Sequence, residues 1–178
     1  MKDTIRWGIL GTGNIASTFA TALQVLPQAK ITAVGSRSQQ GAEQFANRFG
    51  IASRYASYEE LVQDSNVDII YVATPHPMHR ENSLMALNAG KHVLCEKPLG
   101  LNSSEVQEMI ACAQKNNLFF MEAMWMYFFP ALHKAKAMIN AGEIGTVRML
   151  NVDFGFYSPF NAESRLFNPY LGGGALLD

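Results

Sequence analysis

Cysteine is scarce in this chain: Cys95 and Cys112 are the only two in 178 residues. That is too few for a disulfide scaffold, and their separation does not suit a metal-binding pair. Both read as reduced structural thiols of a cytoplasmic protein. No apolar run reaches the roughly 18 residues of a membrane span. Lys2, Asp3 and Arg6 stand before or within the first short apolar stretch, which does not make a signal peptide. Charge of one sign is not in excess either: 14 Lys and Arg face 15 Asp and Glu, for a net charge of −1. With no long basic run, nothing recommends nucleic acid or an anionic membrane surface as a partner. The four histidines, His76, His79, His92 and His133, lack a convincing arrangement with carboxylates or thiols, so no metal site is expected. No Gly-x-Ser-x-Gly elbow points to hydrolysis. Repeats, low-complexity tracts and an obvious flexible linker are also missing. What remains is an ordinary globular composition, 48% hydrophobic and ample for one core.

Against that background the stretch IRWGILGTGNIA stands out. It reads as a buried strand, Ile5–Leu10, running into Gly11-x-Gly13-x-x-Ala16 and then a helix. Each small residue has its own task. Gly11 permits the tight strand-to-helix turn, Gly13 lets a pyrophosphate approach the backbone, and Ala16 lets the helix pack close to the strand. N–H groups at the helix start, with the positive end of the helix dipole, face the phosphates. Gly11, Thr12, Gly13, Asn14 and Ile15 are therefore expected to bind a dinucleotide. A Gly-rich turn that binds nothing is the plain alternative.

Strand and helix patterns alternate downstream. Helices are predicted over 14–25 (Ile15, Phe19, Ala22 and Leu23 at helical spacing), 40–49, 58–64, 77–89 and 102–116. Strands are predicted over 30–35, 67–73, 91–95 and 118–121. Gly50 and Gly90 fit as helix ends, and Ser57 and Asn102 or Ser103 as N-caps. The order βαβαβ implies a parallel, doubly wound α/β sheet with right-handed crossovers. Near residue 122 the character changes: 127–140 predicts a helix interrupted near Pro130, and 146–156 a strand of a different sheet.

At the end of the second strand an acidic residue would select NAD by accepting hydrogen bonds from the ribose 2′-hydroxyl. Here the position reads Gly35-Ser36-Arg37-Ser38, without a carboxylate. Arg37 offers a fork of donors suited to a 2′-phosphate, with Ser36 and Ser38 adding hydroxyls. NADP is the expected cofactor, and NAD stays open. Further on, Cys95-Glu96-Lys97-Pro98 closes a strand at the edge where parallel sheets bind ligands. Pro98 restricts the Lys97 backbone and helps aim its side chain. Seen alone, a Glu-Lys pair is a solvated surface feature; after a cofactor signature it becomes a candidate site.

GTGNIA, ATPHPMH, CEKPLG, MEAMWMYFFP and GGGALLD together resemble the Gfo/Idh/MocA oxidoreductase family over about residues 4–178, with its dihydrodiol and xylose dehydrogenase branches most similar. The resemblance implies an N-terminal Rossmann dinucleotide-binding domain (1–122). It also implies the start of a truncated α+β, antiparallel-sheet C-terminal domain for substrate and oligomer contacts (123–178). Hydride transfer between NADP and a secondary alcohol of a sugar, polyol or dihydrodiol is the implied activity. Lys97 is the implied catalytic residue, touching substrate hydroxyl and nicotinamide ribose, with Glu96 beside it as a ribose contact. Thr74, Pro75, His76 and His79 match the segment beside the nicotinamide, and Trp125 matches a tryptophan near the cofactor. A helix-face histidine holding nearby backbone is the other reading of His79, and core packing that of Trp125. Tyr127 lies in a segment where relatives carry arginine, so no anion-binding role passes to it. Relatives also carry a Tyr or His acid/base about four residues beyond the aspartate matched by Asp178. The sequence is thus expected to be a fragment of a homo-oligomeric enzyme, a dimer or tetramer. Phe154, Phe156 and Tyr157 read either as substrate-pocket wall or as strand core. Two competing functions remain: a non-catalytic dinucleotide-binding regulator of the same fold, and an assembly module using the Phe- and Met-rich segment 119–129.

Overall fold

In the computed structural model, which describes residues 4–174, six parallel strands form one sheet. The elements are β1 (Ile5–Leu10), α1 (Asn14–Leu23), β2 (Ala29–Gly35), α2 (Gln39–Phe49), β3 (Ser53–Tyr55), α3 (Tyr58–Gln63), β4 (Ile69–Val72), α4 (His79–Asn88), β5 (His92–Cys95), α5 (Ser103–Lys115), β6 (Phe120–Glu122) and α6 (Pro130–Asn140). The spatial order β3-β2-β1-β4-β5-β6 reverses direction at β1, whose neighbours are β2 and β4.

Alternation along the strands divides the core in two. Leu10, Ile70, Val72, Val93 and Cys95 point to one face, where Leu61 and Val62 of α3, Leu87 of α4 and Ala113 of α5 cover them. Ile9, Val34, Tyr71 and Leu94 point to the other, under Ala16 and Ala20 of α1 and Phe45 and Ala46 of α2. Every residue of β4 is buried, as a strand covered on both faces requires. Helix starts follow side-chain chemistry. Ser57 accepts from the Glu60 N–H at 3.1 Å and Asn102 from the Glu105 N–H at 3.0 Å. Glu105 reaches back to the Leu101 N–H at 2.9 Å, a reciprocal cap. Gly50 ends α2. At the far edge, the Arg6 guanidinium forks onto Asp68 at 2.7 and 3.0 Å, joining the beginnings of β1 and β4.

Several expectations are corrected. Helix α1 ends at Leu23, and its core face is Ala16, Ala20 and Leu23, while Ile15 is half exposed. The β3 strand was not predicted, since three residues carry too little periodicity to read. The helix expected from 77 begins as a 3-10 turn, His76–Met78, and becomes α-helical at His79. The interruption expected near Pro130 in 127–140 is present: a 3-10 turn, Trp125–Phe128, precedes α6, whose first residue is Pro130. The strand expected over 146–156 does not form: those residues lie outside helix and strand. Met149, Leu150, Val152 and Phe154 are all more than three quarters exposed. An alternating pattern becomes a strand only where another strand takes its backbone hydrogen bonds, and none lies beside it among the described residues. Asp178 lies outside the described residues.

Candidate functional site

Where the sheet order reverses, a cleft of about 710 Å³ opens beyond the C-terminal ends of the strands. Open parallel sheets take ligands at this place. A second groove, of about 880 Å³, lies at the opposite strand ends and is walled by Trp7, Ile69, Leu94 and Met121. It has no glycine loop and no helix start, so the chemistry belongs to the first cleft.

Gly11, Thr12, Gly13, Asn14 and Ile15 line that cleft. At Gly11 the backbone needs glycine twice over: φ is +105°, and a Cβ would stand 2.8 Å from the Ala73 carbonyl oxygen. Gly13 differs. Its backbone is extended (φ −77°, ψ −175°), and nothing lies within 4 Å of where its Cβ would be. Helix α1 starts here without a side-chain cap and without an acidic residue in its first turn. Its first N–H groups are thus left for a ligand's oxygens.

Ser36 and Arg37 line the cleft beside the loop. Ser36 is buried, its hydroxyl 3.4 Å from that of Thr12. Arg37 is exposed at the rim. Ser38 is turned away from the lining; its hydroxyl accepts from the Gly41 N–H at 3.2 Å and caps α2.

Thr74, Pro75 and His76 follow β4 and line the cleft, as do Glu96 and Lys97 after β5. Three carboxylates hold the backbone of the Glu96–Leu101 turn. Glu96 accepts from the Lys97 N–H at 3.3 Å, Glu122 from the Leu99 N–H at 2.8 Å, and Glu105 from the Leu101 N–H. The Lys97–Pro98 peptide is cis. His79 is fully buried, outside the lining. Its Nδ1 stands 2.7 Å from the Pro98 carbonyl and its Nε2 2.8 Å from the Thr74 carbonyl, so the ring ties the two strand-end turns together. The Asn82 amide donates to the Thr74 hydroxyl at 3.0 Å and completes the brace. Replacing His79 with alanine removes the imidazole packed between the buried Thr74 carbonyl and the partly buried Pro98 carbonyl, a neutral ring donating to one of them, and is expected to cost about 2–4 kcal/mol of stability. Urea unfolding measures it, and a loss below about 1 kcal/mol would discount the brace. Trp125 also lies outside the lining, 65% exposed and edge-on to Phe129 at 5.3 Å.

Four further lining residues escaped sequence reasoning: Thr18, Tyr58, Ala73 and Arg165. Thr18 was readable in principle, one helical turn beyond Asn14, to whose carbonyl its hydroxyl donates. Tyr58 opens α3 beside Arg37; burial raises its phenol pKa, and Arg37 opposes the rise. Arg165 arrives on an irregular segment that no periodicity announces. That segment is seated by Gly172, where a Cβ would come within 3.3 Å of His76 and 3.1 Å of Leu101. The cleft therefore gathers Arg37, Lys97 and Arg165 against one lining carboxylate, Glu96. A diphosphate suits that balance. Among the described residues, no three His, Cys, Asp or Glu side chains come together as metal ligands. No helix among them is long and apolar enough to cross a membrane.

Known proteins carry the same architecture. The 3-ketoreductase of Actinomadura kijaniata, solved with NADP, is 34% identical with a TM-score of 0.75, covering 80% of this chain and 45% of that one. Apo scyllo-inositol dehydrogenase of Lactobacillus casei is 28% identical with a TM-score of 0.75, covering 82% and 44%. Trans-1,2-dihydrobenzene-1,2-diol dehydrogenase of Xenopus laevis is 44% identical over 175 residues, 97% of this chain and 52% of the relative. The mouse enzyme is also 44% identical, over 98% and 52%. The chain thus spans about half the length of the curated relatives it matches. Residues 5–124 match the Gfo/Idh/MocA oxidoreductase family's NAD-binding Rossmann fold, and residues 132–178 match that family's C-terminal domain. With its glycine loop, its Glu96-Lys97-Pro98 turn and this agreement over most of its length, the chain belongs to the Gfo/Idh/MocA oxidoreductase family.

Proposed function

We propose that the protein transfers hydride between NADP and a secondary alcohol of a sugar, polyol or dihydrodiol. The observation that carries this is one cleft holding both the glycine loop and Lys97. Open space over Gly13 and the absence of a carboxylate at the end of β2 fit a dinucleotide bearing a 2′-phosphate. Gly11, Thr12, Gly13, Asn14 and Ile15 would hold the pyrophosphate. Ser36 and Arg37 would take the 2′-phosphate, with Ser38 fixing that turn through its cap. Thr74, Pro75, His76 and Glu96 would border the nicotinamide ribose, His79 bracing them from beneath, and Trp125 would reach the cofactor's rim from the next segment. Residues 1–122 would form the nucleotide-binding unit and 123–178 the beginning of a substrate and oligomer domain.

When bound, the nicotinamide supplies the carbon that accepts or gives the hydride. The protein's share is electrostatic. In the carbonyl-reducing direction the Lys97 ammonium would donate a hydrogen bond to the substrate oxygen, stabilise the negative charge that builds there and give it a proton. In the alcohol-oxidising direction the neutral Lys97 amine would take the hydroxyl proton as hydride leaves carbon. The carboxylate brackets fix the backbone of the turn from which the Lys97 side chain extends. Dihydrodiol dehydrogenase, ketoreductase and inositol dehydrogenase relatives support the substrate class. Two free cysteines support a cytoplasmic setting. Residues 132–178 match the family's C-terminal domain, and a homo-oligomer would assemble through that domain.

Replacing Arg37 with alanine removes the donor fork, and the Kd for NADP is expected to rise about 10- to 100-fold. The Kd for NAD stays within about twofold, because NAD has no 2′-phosphate to lose. Calorimetric titration with both dinucleotides reads the difference, and equal losses would remove NADP selection from Arg37. A panel of sugars, polyols and diols with NADP, run on the full-length protein, tests the activity: turnover of a member establishes the class, and cofactor binding by the full-length protein without any turnover assigns a regulator instead.

A further inference from the structure

Tyr71 is the largest fully buried side chain and sits on β4 facing α1. Its ring stacks on Phe19 of α1, with centroids 3.8 Å apart and planes at 24°. In the parallel register Tyr71 pairs with Leu94, so Glu96, two residues on, extends from the same face of the neighbouring strand. The Tyr71 hydroxyl donates to Glu96 Oε1. The other oxygen, Oε2, accepts from the Lys97 N–H. The Glu96 N–H in turn donates to the Val72 carbonyl at 3.0 Å, next to Tyr71. A continuous path thus runs from the helix behind the glycine loop, through an aromatic pair and one carboxylate, to the backbone of the lysine.

We propose that Tyr71 is a positioning residue for this cleft: its hydroxyl fixes the Glu96 carboxylate, and Glu96 thereby sets the Lys97 turn in register with α1 and the nucleotide loop. This rests on the hydride-transfer function above. A buried phenol needs an acceptor, and here that acceptor is the carboxylate that also holds the Lys97 N–H; phenylalanine would fill the same space against Phe19 without that link. The hydroxyl is a donor held in place. Burial, then the hydrogen bond to Glu96 and its charge, push its ionisation far above the ordinary tyrosine range, so it serves to hold a proton. Glu96 and Cys95 are the titratable groups that act on it.

The test compares Tyr71→Phe, Glu96→Gln and the double variant in the full chain. Tyr71→Phe keeps the stack and is expected to lower kcat about tenfold with KM for NADP within about twofold. Glu96→Gln lowers kcat at least as far, and the double variant falls no further than the worse single one. Losses that multiply, or an unchanged kcat in Tyr71→Phe, overturn the proposal. An activity-free arm uses carbon-13 at tyrosine Cζ: the Tyr71 resonance stays un-ionised past the ordinary tyrosine pKa of about 10 and moves toward it in Glu96→Gln. Ordinary titration of Tyr71 in the unaltered protein overturns the hydrogen bond and the proposal with it. Absence of turnover by the full-length unaltered protein on every substrate overturns the hydride-transfer function itself, whereas turnover with independent losses overturns only the part given to Tyr71.

Discussion

Lys97→Met is expected to lower turnover by about a thousandfold while leaving the Kd for NADP within about twofold. Methionine keeps most of the stem's volume and removes the charged donor. The backbone of the turn has supports of its own: its N–H groups at 97, 99 and 101 go to Glu96, Glu122 and Glu105, and the Pro98 carbonyl faces His79. The variant should therefore fold normally and bind dinucleotide through the glycine loop and Arg37. What it loses is the group that meets charge on the substrate oxygen as hydride moves, a contribution felt in the transition state and hardly at all in cofactor binding. Single-turnover kinetics beside calorimetry separates the two quantities. Turnover within tenfold of the unaltered protein would take Lys97 out of the mechanism.

Gly13→Val is expected to produce the reverse separation, an intact fold that scarcely binds. Gly13 lies in extended backbone open to any residue, and no atom stands within 4 Å of the place a Cβ would take. The melting temperature should change by no more than about 2 °C. That same open space is where a pyrophosphate must approach the backbone, and a branched side chain fills it. A rise of at least about a hundredfold in Kd for NADP and NAD alike is the expected reading of calorimetric titration. Gly11 gives the contrast, since a side chain there meets the Ala73 carbonyl at 2.8 Å with φ at +105°, and the damage falls on the fold. Tight binding by Gly13→Val would place the dinucleotide elsewhere.

The repeating part of the fold was legible because its signals are local. An apolar run ending at Gly11 marked β1, a continuous apolar run over 67–73 marked β4, and shorter apolar runs marked β2 and β5. Gly50, Ser57 and Asn102 ended or began helices as their backbone and side-chain chemistry prescribes. Among the candidate site residues, the glycine loop, Ser36, Arg37, the Thr74–His76 turn and Glu96–Lys97 were all readable and all line one cleft, because in a parallel sheet every strand ends on the same side. Ser38 and His79 were named from the same turns, and their side chains point elsewhere: one caps a helix, the other lies beneath the surface. Which way a turn residue faces is set by neighbours distant in sequence.

From residue 146 onward the pattern misled. Segment 146–156 alternates like a strand, yet alternation records which faces can be apolar and not whether a partner strand is present. Arg165 reaches the cleft because Gly172 seats its segment against His76 and Leu101, contacts separated by many residues.

By itself, then, the sequence determined the element order, the parallel sheet, the phosphate loop and the chemistry available at each strand end, since these follow from periodicity, glycine freedom and side-chain type within a few residues. Only the tertiary structure decided which of those groups share a cleft, that His79 and Asn82 brace it from below, that Tyr71 reaches Glu96 at the end of the neighbouring strand, and that Arg165 joins from afar. Those facts depend on strand register and helix packing, which bring together residues that no local pattern connects.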